Sequence, residues 1–221
     1  MQANILKMVK INLNWFVILL LLTLATACGS QSSSSAPADS AGGAKTYIAA
    51  FENGPASARA VIVVEDGKFD AYVCSLDDAF NLTTARWYKG ELGQAGSFQG
   101  VSNDGVEFKG NVSGDGFTGT VLNTAKESLA FSGAAAPADG KSGLYRGTGN
   151  YGNGEVIVGA VMAADGAFAS TAQYKGKFEF VSPVAAQPIE LPEHSLGVKI
   201  GPDGSQITVN LVTTLTGPQV F

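Results

Sequence analysis

The chain has 221 residues, of which 14 are basic and 19 acidic, so its formal net charge is −5 at pH 7. No run of Lys and Arg interrupts this acidic balance, which argues against a nucleic-acid partner because phosphates demand clustered cations. One histidine and two cysteines are too few for a zinc site built from His and Cys.

The first 27 residues have the form of an export signal. Lys7 and Lys10 precede the 13 uncharged residues "WFVILLLLTLATA", which are too few for a membrane-spanning helix of about 20 apolar residues. The segment ends in "LATAC", with small residues directly before Cys28, and this resembles the lipobox of bacterial lipoproteins. Ala25 stands where that pattern usually has Leu. The resemblance implies cleavage before Cys28, thioether lipidation of its sulfur and acylation of the new amino terminus. Ordinary cleavage near Ala27 and an uncleaved membrane helix are the alternatives.

The same resemblance implies a cellular location. Two or more acyl chains give stable membrane anchoring, and Gly29 follows the cysteine where an inner-membrane retention signal would place Asp. We therefore expect a lipid-anchored, extracytoplasmic protein of the bacterial cell envelope, in the outer membrane where the cell has one. Residues 28–44 are rich in Ser, Ala and Gly, which predicts a flexible tether.

Residues 45–221 predict a single all-β domain. Short β-rich runs end at Gly, Asp or Asn, and no stretch of 11 or more residues has a helical period. We expect an antiparallel meander of about 10–12 strands, forming a curved sandwich or a closed barrel. Little helix is expected beyond one turn over 75–81, with Ser75 as its cap. The Pro-rich residues 183–193 predict an extended link, and 196–212 predict a C-terminal hairpin. The other predicted strands are 45–51, 58–65, 68–74, 83–89, 96–101, 105–112, 116–122, 128–133, 143–150, 155–163, 167–174 and 177–182.

An aromatic-x-Gly unit recurs seven times in these strands. Residues i and i+2 of a strand face the same side, so each glycine leaves a gap that a ring from a neighbouring strand can cover. The glycines also let the sheet bend. We therefore expect the rings to face inward and the middle residues to face solvent. The units begin at Tyr88, Phe98, Phe108, Phe117, Phe131, Tyr145 and Tyr174.

A second resemblance covers about residues 58–170. The order "AYVCS … ARWYKGEL … FKG … GFTGTV … LAFSGAAA … SGLYRGTG … IVGAVMAADG" is similar to an uncharacterised β domain of exported bacterial proteins. It implies one β unit and brings no activity with it. Cys74, within "AYVCS", is interpreted as a buried small hydrophobic residue rather than a reactive thiol.

Motifs for cofactors and metals are weak. "GTGNYG" (147–152) matches G-x-G-x-x-G, but a strand-like run follows it where a dinucleotide site needs a helix, so no cofactor is expected. Asp104 and Asp115 lie in glycine turns and are the candidate calcium ligands. Their spacing fits neither a nine-residue calcium repeat nor an EF-hand loop, and ordinary Asp-Gly turns are the favoured interpretation.

Catalytic motifs are weaker still. There is no G-x-S-x-G elbow, and the single histidine, His194, lies beside the Pro-rich link. A carboxylate-dependent hydrolase would need two acids at a spacing that sequence does not supply. Its candidates are Asp77, Asp78, Glu91, Glu107, Glu127 and Glu155.

We therefore expect a non-enzymatic binding or surface-interaction module with an unknown protein or glycan partner. Trp87, Tyr88, Tyr145 and Tyr151 are the candidate ligand-binding rings and, with Tyr174, could form a sugar-stacking or peptide platform, although alternate rings of a sheet are ordinarily core. A lipocalin-like carrier of a small apolar ligand is one alternative. The carboxylate-dependent hydrolase is the other.

Overall fold

The computed structural model describes residues 43–215, and in this range there are fifteen β-strands, one α-helix and one turn of 3-10 helix at Gln94–Gly96. Every paired strand is antiparallel, so the predicted all-β class is confirmed. The predicted signal peptide, Cys28, tether residues 28–42 and residues 216–221 lie outside the described range.

Eight strands form a first sheet that closes almost into a barrel. Its order is β4-β3-β2-β1-β8-β7-β6-β5, so the two edge strands, β4 and β5, are consecutive in the chain. They lie side by side, since a Cβ on Gly100 of β5 would be 3.1 Å from the Cβ of Tyr88 in β4. The strands are β1 Lys45–Phe51, β2 Arg59–Glu65, β3 Lys68–Cys74, β4 Trp87–Glu91, β5 Ser97–Val101, β6 Glu107–Ser113, β7 Gly116–Leu122 and β8 Ser128–Ala135.

Seven strands form a second sheet with the shape of a half-barrel, in the order β12-β11-β10-β9-β15-β14-β13. The C-terminal hairpin, β14–β15, completes this sheet by pairing with β9. The short strand β13, in the Pro-rich link, and the two strands of the C-terminal hairpin bring the total above the expected 10–12. The strands are β9 Gly143–Tyr151, β10 Gly154–Met162, β11 Phe168–Tyr174, β12 Phe180–Val181, β13 Ile189–Leu191, β14 Ser195–Ile200 and β15 Ser205–Leu211.

The helix, α1, spans Asp78–Thr84 and corrects two sequence predictions. The strand predicted for 83–89 begins only at Trp87. The predicted cap, Ser75, was also wrong, because Asp77 directly precedes the helix and its Oδ1 accepts from the Phe80 amide at 2.8 Å. The Ser75 hydroxyl instead accepts from the Asp77 amide at 3.1 Å.

Aromatic rings fill the interior of the barrel. Neighbouring strands place Phe98 opposite Gly110 and Phe131 opposite Gly119. A Cβ on Gly110 would lie 2.6 Å from Phe98 Cζ, so the predicted cover of glycines by rings is confirmed here. The unit fails at Gly176, which lies in a turn with φ +72°. Ring centroids within the barrel are 4.8 to 6.4 Å apart, a normal range for aromatic packing. The interior rings are Tyr47, Phe51, Phe69, Phe80, Tyr88, Phe98, Phe108, Phe117 and Phe131.

The half-barrel packs against the outside of β1–β3. Val61, Tyr72 and Cys74 from the barrel meet Leu144 and Val161 of the half-barrel in one buried cluster. Cys74 is fully buried, in agreement with its prediction, and burial raises the pKa of its thiol. Within residues 43–215, none of the helical structure has the length and apolarity that crossing a membrane requires.

Candidate functional site

Arg86 and Asp104 join the two sides of the barrel seam, which we define as the boundary between β4 and β5. Arg86 Nη2 donates to Asp104 Oδ2 at 2.6 Å, and Nε donates to the same carboxylate at 2.9 and 3.1 Å. Arg86 also donates to three backbone carbonyls at the C-terminal end of α1, those of Asn81, Leu82 and Ala85. Cations are favourable at that end of a helix. One side chain therefore fixes the helix and the β5–β6 turn together.

The charge of Asp104 is stabilised by its neighbours. Burial opposes ionisation, but hydrogen bonds from Arg86 and Ser102 outweigh it, so the pKa of Asp104 lies below its ordinary value of 3.8. Ser102 Oγ donates to Asp104 Oδ1 at 2.6 Å. This carboxylate is an ion-pair and turn residue, and its oxygens already have donors.

Beside the seam, a groove of about 330 Å³ runs between the barrel and the half-barrel. We call it the seam groove. Its barrel wall is the start of β4 and the end of β5, and its other wall comes from β10, β11 and the β11–β12 turn. Its lining is Arg86, Trp87, Tyr88, Lys89, Val101, Ser102, Asn103, Ile157, Gln173, Tyr174, Gly176, Lys177 and Phe178.

Three aromatic side chains give this groove its shape. Trp87 is half-buried and stacks on Tyr72, with ring centroids 4.0 Å apart and planes 23° apart. Tyr174 stands on the opposite wall, with Lys177 Nζ 5.8 Å from its ring centroid. Phe178 covers the Arg86 guanidinium at 5.0 Å. These ring–cation contacts add to the packing that holds the walls in place.

The framework beneath Trp87 is polar and buried. Arg146 of β9 lies 5.8 Å from the indole and pairs with Asp70 of β3, Nη1 to Oδ2, at 3.4 Å. Burial raises the pKa of Asp70, and the charge of Arg146 acts in the opposite direction. Tyr72 and Thr171 join their hydroxyls across the same interface. The two sheets are therefore positioned beneath the groove by specific polar pairs as well as by apolar packing.

Two of the large exposed hydrophobic side chains of the described residues line the seam groove. Among residues 43–215 the four with most exposure are Leu82 (59%), Val101 (59%), Phe178 (46%) and Ile189 (38%). Val101 and Phe178 line the groove, and the carbonyl of Leu82 accepts from Arg86. A group of exposed apolar side chains beside a concave surface is typical of an interaction site.

The charged residues of the groove are all basic. Arg86, Lys89 and Lys177 belong to its lining, and no lining residue is acidic. This contrasts with the whole chain, where acidic residues outnumber basic ones. The groove is thus a locally cationic and aromatic region of an acidic protein.

A second cavity of about 250 Å³ lies in the half-barrel, near the start of β9. Its acids are engaged: Asp139 accepts from the Ser142 amide and hydroxyl, each at 2.7 Å, and these hydrogen bonds hold the pKa of Asp139 below its ordinary value. Glu190 lies 3.7 Å from Lys141 Nζ, in an exposed pair. His194 also lines this cavity.

The four rings predicted to bind a ligand do not form one platform. Trp87 and Tyr88 are adjacent on β4 and point to opposite faces, so Tyr88 lies inside the barrel, stacked on Phe108 at 4.8 Å. Tyr145 is 2% exposed and its hydroxyl donates to the Lys141 carbonyl at 2.6 Å. Tyr151 lies at the far end of β9, where burial and the charge of Asp203 raise its pKa.

Sequence reasoning missed most of the half-barrel wall of the groove. Phe178, Lys177 and Gln173 were not among its candidates. The sequence signal that could have revealed this wall is the run "YKGKFEF" (174–180), in which lysines alternate with aromatic residues at the end of a strand. Tyr174, which belonged to the predicted platform of rings, is the residue of this wall that the sequence did indicate.

The candidate calcium ligands lie apart and have cationic partners. Asp104 binds Arg86, and Asp115 Oδ1 lies 3.0 Å from Lys45 Nζ. Residues 43–215 contain no group of three or more His, Cys, Asp or Glu arranged to hold a metal ion.

Several of the candidate hydrolytic acids have structural partners. Asp77 caps α1, and Glu155 pairs with Lys175 at 3.0 Å. Glu127 Oε2 accepts from the Asn123 amide group at 3.0 Å.

No protein-family model, curated protein or solved structure matches the chain. The geometry of the seam groove and the N-terminal sequence are therefore the features that bear on what the protein does.

Proposed function

We propose that the protein is a lipid-anchored, non-enzymatic binding module on the extracytoplasmic side of a bacterial membrane, and that it holds its partner in the seam groove. The observation that carries the binding part is the exposure of Val101 and Phe178 beside Trp87 and Tyr174. Burying such side chains against a partner contributes favourable free energy, and aromatic residues dominate binding interfaces. The anchoring part rests on "LATAC" and the Ser-rich tether.

The proposal favours binding over catalysis because of the chemistry of the groove. Its lining offers rings, amides and cations, and no carboxylate, histidine or thiol. Histidine is the side chain that most often transfers protons in catalysis, and the lining supplies serine, lysine and tyrosine side chains without it. Binding needs no proton-transfer group.

The carrier alternative would use a different part of the molecule. The barrel shape is compatible with it, but a ligand inside the barrel would have to displace rings that contact each other, such as Phe108 and Phe131 at 5.4 Å. A carrier would also be insensitive to changes on the outer face of the seam. Variants of the groove therefore distinguish the two functions.

The anchor is tested by metabolic labelling with an alkyne analogue of palmitate, followed by membrane fractionation. We expect the wild-type chain to carry the label and to sediment with membranes, and Cys28→Ala to lose both properties. Cys74→Ala is the matched control and should retain both. Label on Cys28→Ala would contradict lipidation at this residue.

The binding surface is tested by photo-cross-linking in cells of the source organism. The full chain carries p-benzoylphenylalanine at position 178 or 101, and at position 189 as the control. Ile189 is also an exposed hydrophobic residue but does not line the groove. We expect light-dependent adducts at 178 and 101 and none at 189. Equal adducts at all three positions, or none at 178 and 101, would refute the groove as the binding surface.

A further inference from the structure

We infer that the ligand of the seam groove is an acidic saccharide, a glycan whose sugars carry carboxylate or sulfate groups. This inference depends on the proposed function, because it names the class of molecule that the groove receives.

The charge of the groove selects an anion. Lys89 and Lys177 are both exposed and stand on opposite walls, one on the barrel and one on the half-barrel. Arg86 lies between the seam and Phe178, with its charge directed to Asp104. A ligand lying along the groove would meet the ammonium groups of both lysines and no acidic lining residue, while Lys89 also interacts electrostatically with Asp70, its cross-strand neighbour on β3. In a protein with excess acidic residues, complementarity of this kind favours a negatively charged ligand over a neutral one.

The rings and amides select a sugar. Trp87, Tyr174 and Phe178 line the groove with apolar ring surface, the kind of surface on which the C–H face of a pyranose ring packs. Asn103 and Gln173 add amide groups that can both donate and accept, as sugar hydroxyls require, although Gln173 Nε2 already donates to the Lys177 carbonyl. The volume of about 330 Å³ falls within the range of small-ligand sites.

The strand edges argue against an extended peptide. A peptide ordinarily adds to an open strand edge through backbone hydrogen bonds. Here β4 and β5 face each other, and the Cβ position of Gly100 is 3.1 Å from Tyr88 Cβ, which leaves no width for another strand between them. The free edges of the half-barrel are β12 and β13, of two and three residues. An acidic peptide is therefore the disfavoured occupant.

The test measures affinity by isothermal titration with the full lipidated chain in nanodiscs. The probes are tetragalacturonate and a heparin tetrasaccharide, with maltotetraose as the neutral counterpart and hexaglutamate as the peptide. We expect saturable binding of at least one acidic tetrasaccharide, at least about tenfold tighter than maltotetraose. Raising NaCl from 0.05 to 0.5 M should weaken it several-fold, because the lysines are exposed and salt screens them.

Variants locate the binding. Lys89→Gln and Lys177→Gln should each weaken it about two- to fivefold, as expected for exposed charge pairs. Phe178→Ser should weaken it by at least about fivefold. Lys199→Gln, an exposed lysine on β14 outside the groove, is the matched control and should bind as wild type. A thermal unfolding curve of each variant separates lost binding from lost folding.

Three results would overturn the inference: no binding of either acidic tetrasaccharide, binding of hexaglutamate alone, or binding that the groove variants leave unchanged. Cross-links at positions 178 and 101 in the absence of saccharide binding would leave the proposed function intact and refute only the ligand class. Loss of those cross-links as well would refute both.

Discussion

Arg86 and Asp104 form three hydrogen bonds of 2.6 to 3.1 Å across the barrel seam, where the edge strands β4 and β5 of the eight-stranded sheet lie side by side. Their side chains are only 4% and 20% exposed. A bidentate guanidinium–carboxylate pair is directional as well as strong, so it can fix the relative position of two strands. In this barrel the pair also fixes α1, and its Arg86 supports Phe178 at the groove.

Asp104→Asn should lower the free energy of unfolding by about 3 kcal/mol. The change leaves the buried guanidinium of Arg86 without its anionic partner, and breaking a buried pair in this way is strongly destabilising. Urea denaturation followed by tryptophan fluorescence measures the effect. Asp115→Asn is the matched control: its pair with Lys45 is exposed, at 86% and 48%, so its loss should change the free energy by less than about 1 kcal/mol. Equal losses of unfolding free energy in the two variants would show that the Arg86–Asp104 pair contributes no more to stability than the exposed pair does.

Acid should weaken the seam through the same carboxylate. The pKa of Asp104 is lower in the folded protein than its ordinary 3.8, so its contribution to stability is present above the unfolded-state pKa and is lost as the pH falls through the folded-state value. We expect the urea midpoint of the wild type to fall between pH 5 and 3. The urea midpoint of Asp104→Asn should fall less steeply with pH. Part of the pH dependence should remain in this variant, because the pKa of Asp139 is also lowered in the folded protein. Parallel curves for the two proteins would contradict this role of Asp104.

The hydroxyl of Tyr88 is buried without a hydrogen-bond partner among the described protein atoms. Burying an unpaired polar group is unfavourable, so Tyr88→Phe should raise the free energy of unfolding by about 1 kcal/mol. Tyr72→Phe is the opposite case, since it leaves the buried hydroxyl of Thr171 unpaired, and it should cost about 1–2 kcal/mol. Urea denaturation of both variants measures the two changes in the free energy of unfolding. Destabilisation by Tyr88→Phe would indicate that its hydroxyl does have a partner in solution.

The sequence predicted the features that depend on neighbours along the chain. Asp66-Gly67 stands between two apolar runs, which is a local signal for a tight hairpin, and β2 and β3 do turn there. The predicted spacing of rings and glycines correctly indicated a curved sheet with its rings inside. Both signals are local. The class of fold followed from them, because strands every 9–12 residues have few other arrangements.

The candidate site could not be predicted in the same way, because it forms between distant segments. Trp87 and Phe178 are 91 positions apart, and only the packing of the half-barrel on β1–β3 brings their strands together. Asp104 resembled a turn acid or a calcium ligand, since its partner Arg86 carries no motif that links the two. Tyr88 and Trp87 looked equivalent in sequence, but adjacent strand residues face opposite sides, so one is core and the other lines the groove.

Gly110→Ala should be among the most damaging small changes in the barrel. A Cβ at this position would lie 2.6 Å from Phe98 Cζ and closer still to the Thr118 carbonyl oxygen of the neighbouring strand, so either the ring or the backbone must move. Overpacking of this kind costs about 2–3 kcal/mol. Gly116→Ala, on the adjacent strand β7, is the matched control, because its Cβ would meet only the Ser113 carbonyl oxygen, at 3.3 Å. It should change the free energy by less than about 1 kcal/mol, since alanine also restricts the unfolded chain. Near-ultraviolet circular dichroism would report the displaced rings in Gly110→Ala, and wild-type stability and spectrum in that variant would refute the close packing of rings over glycines.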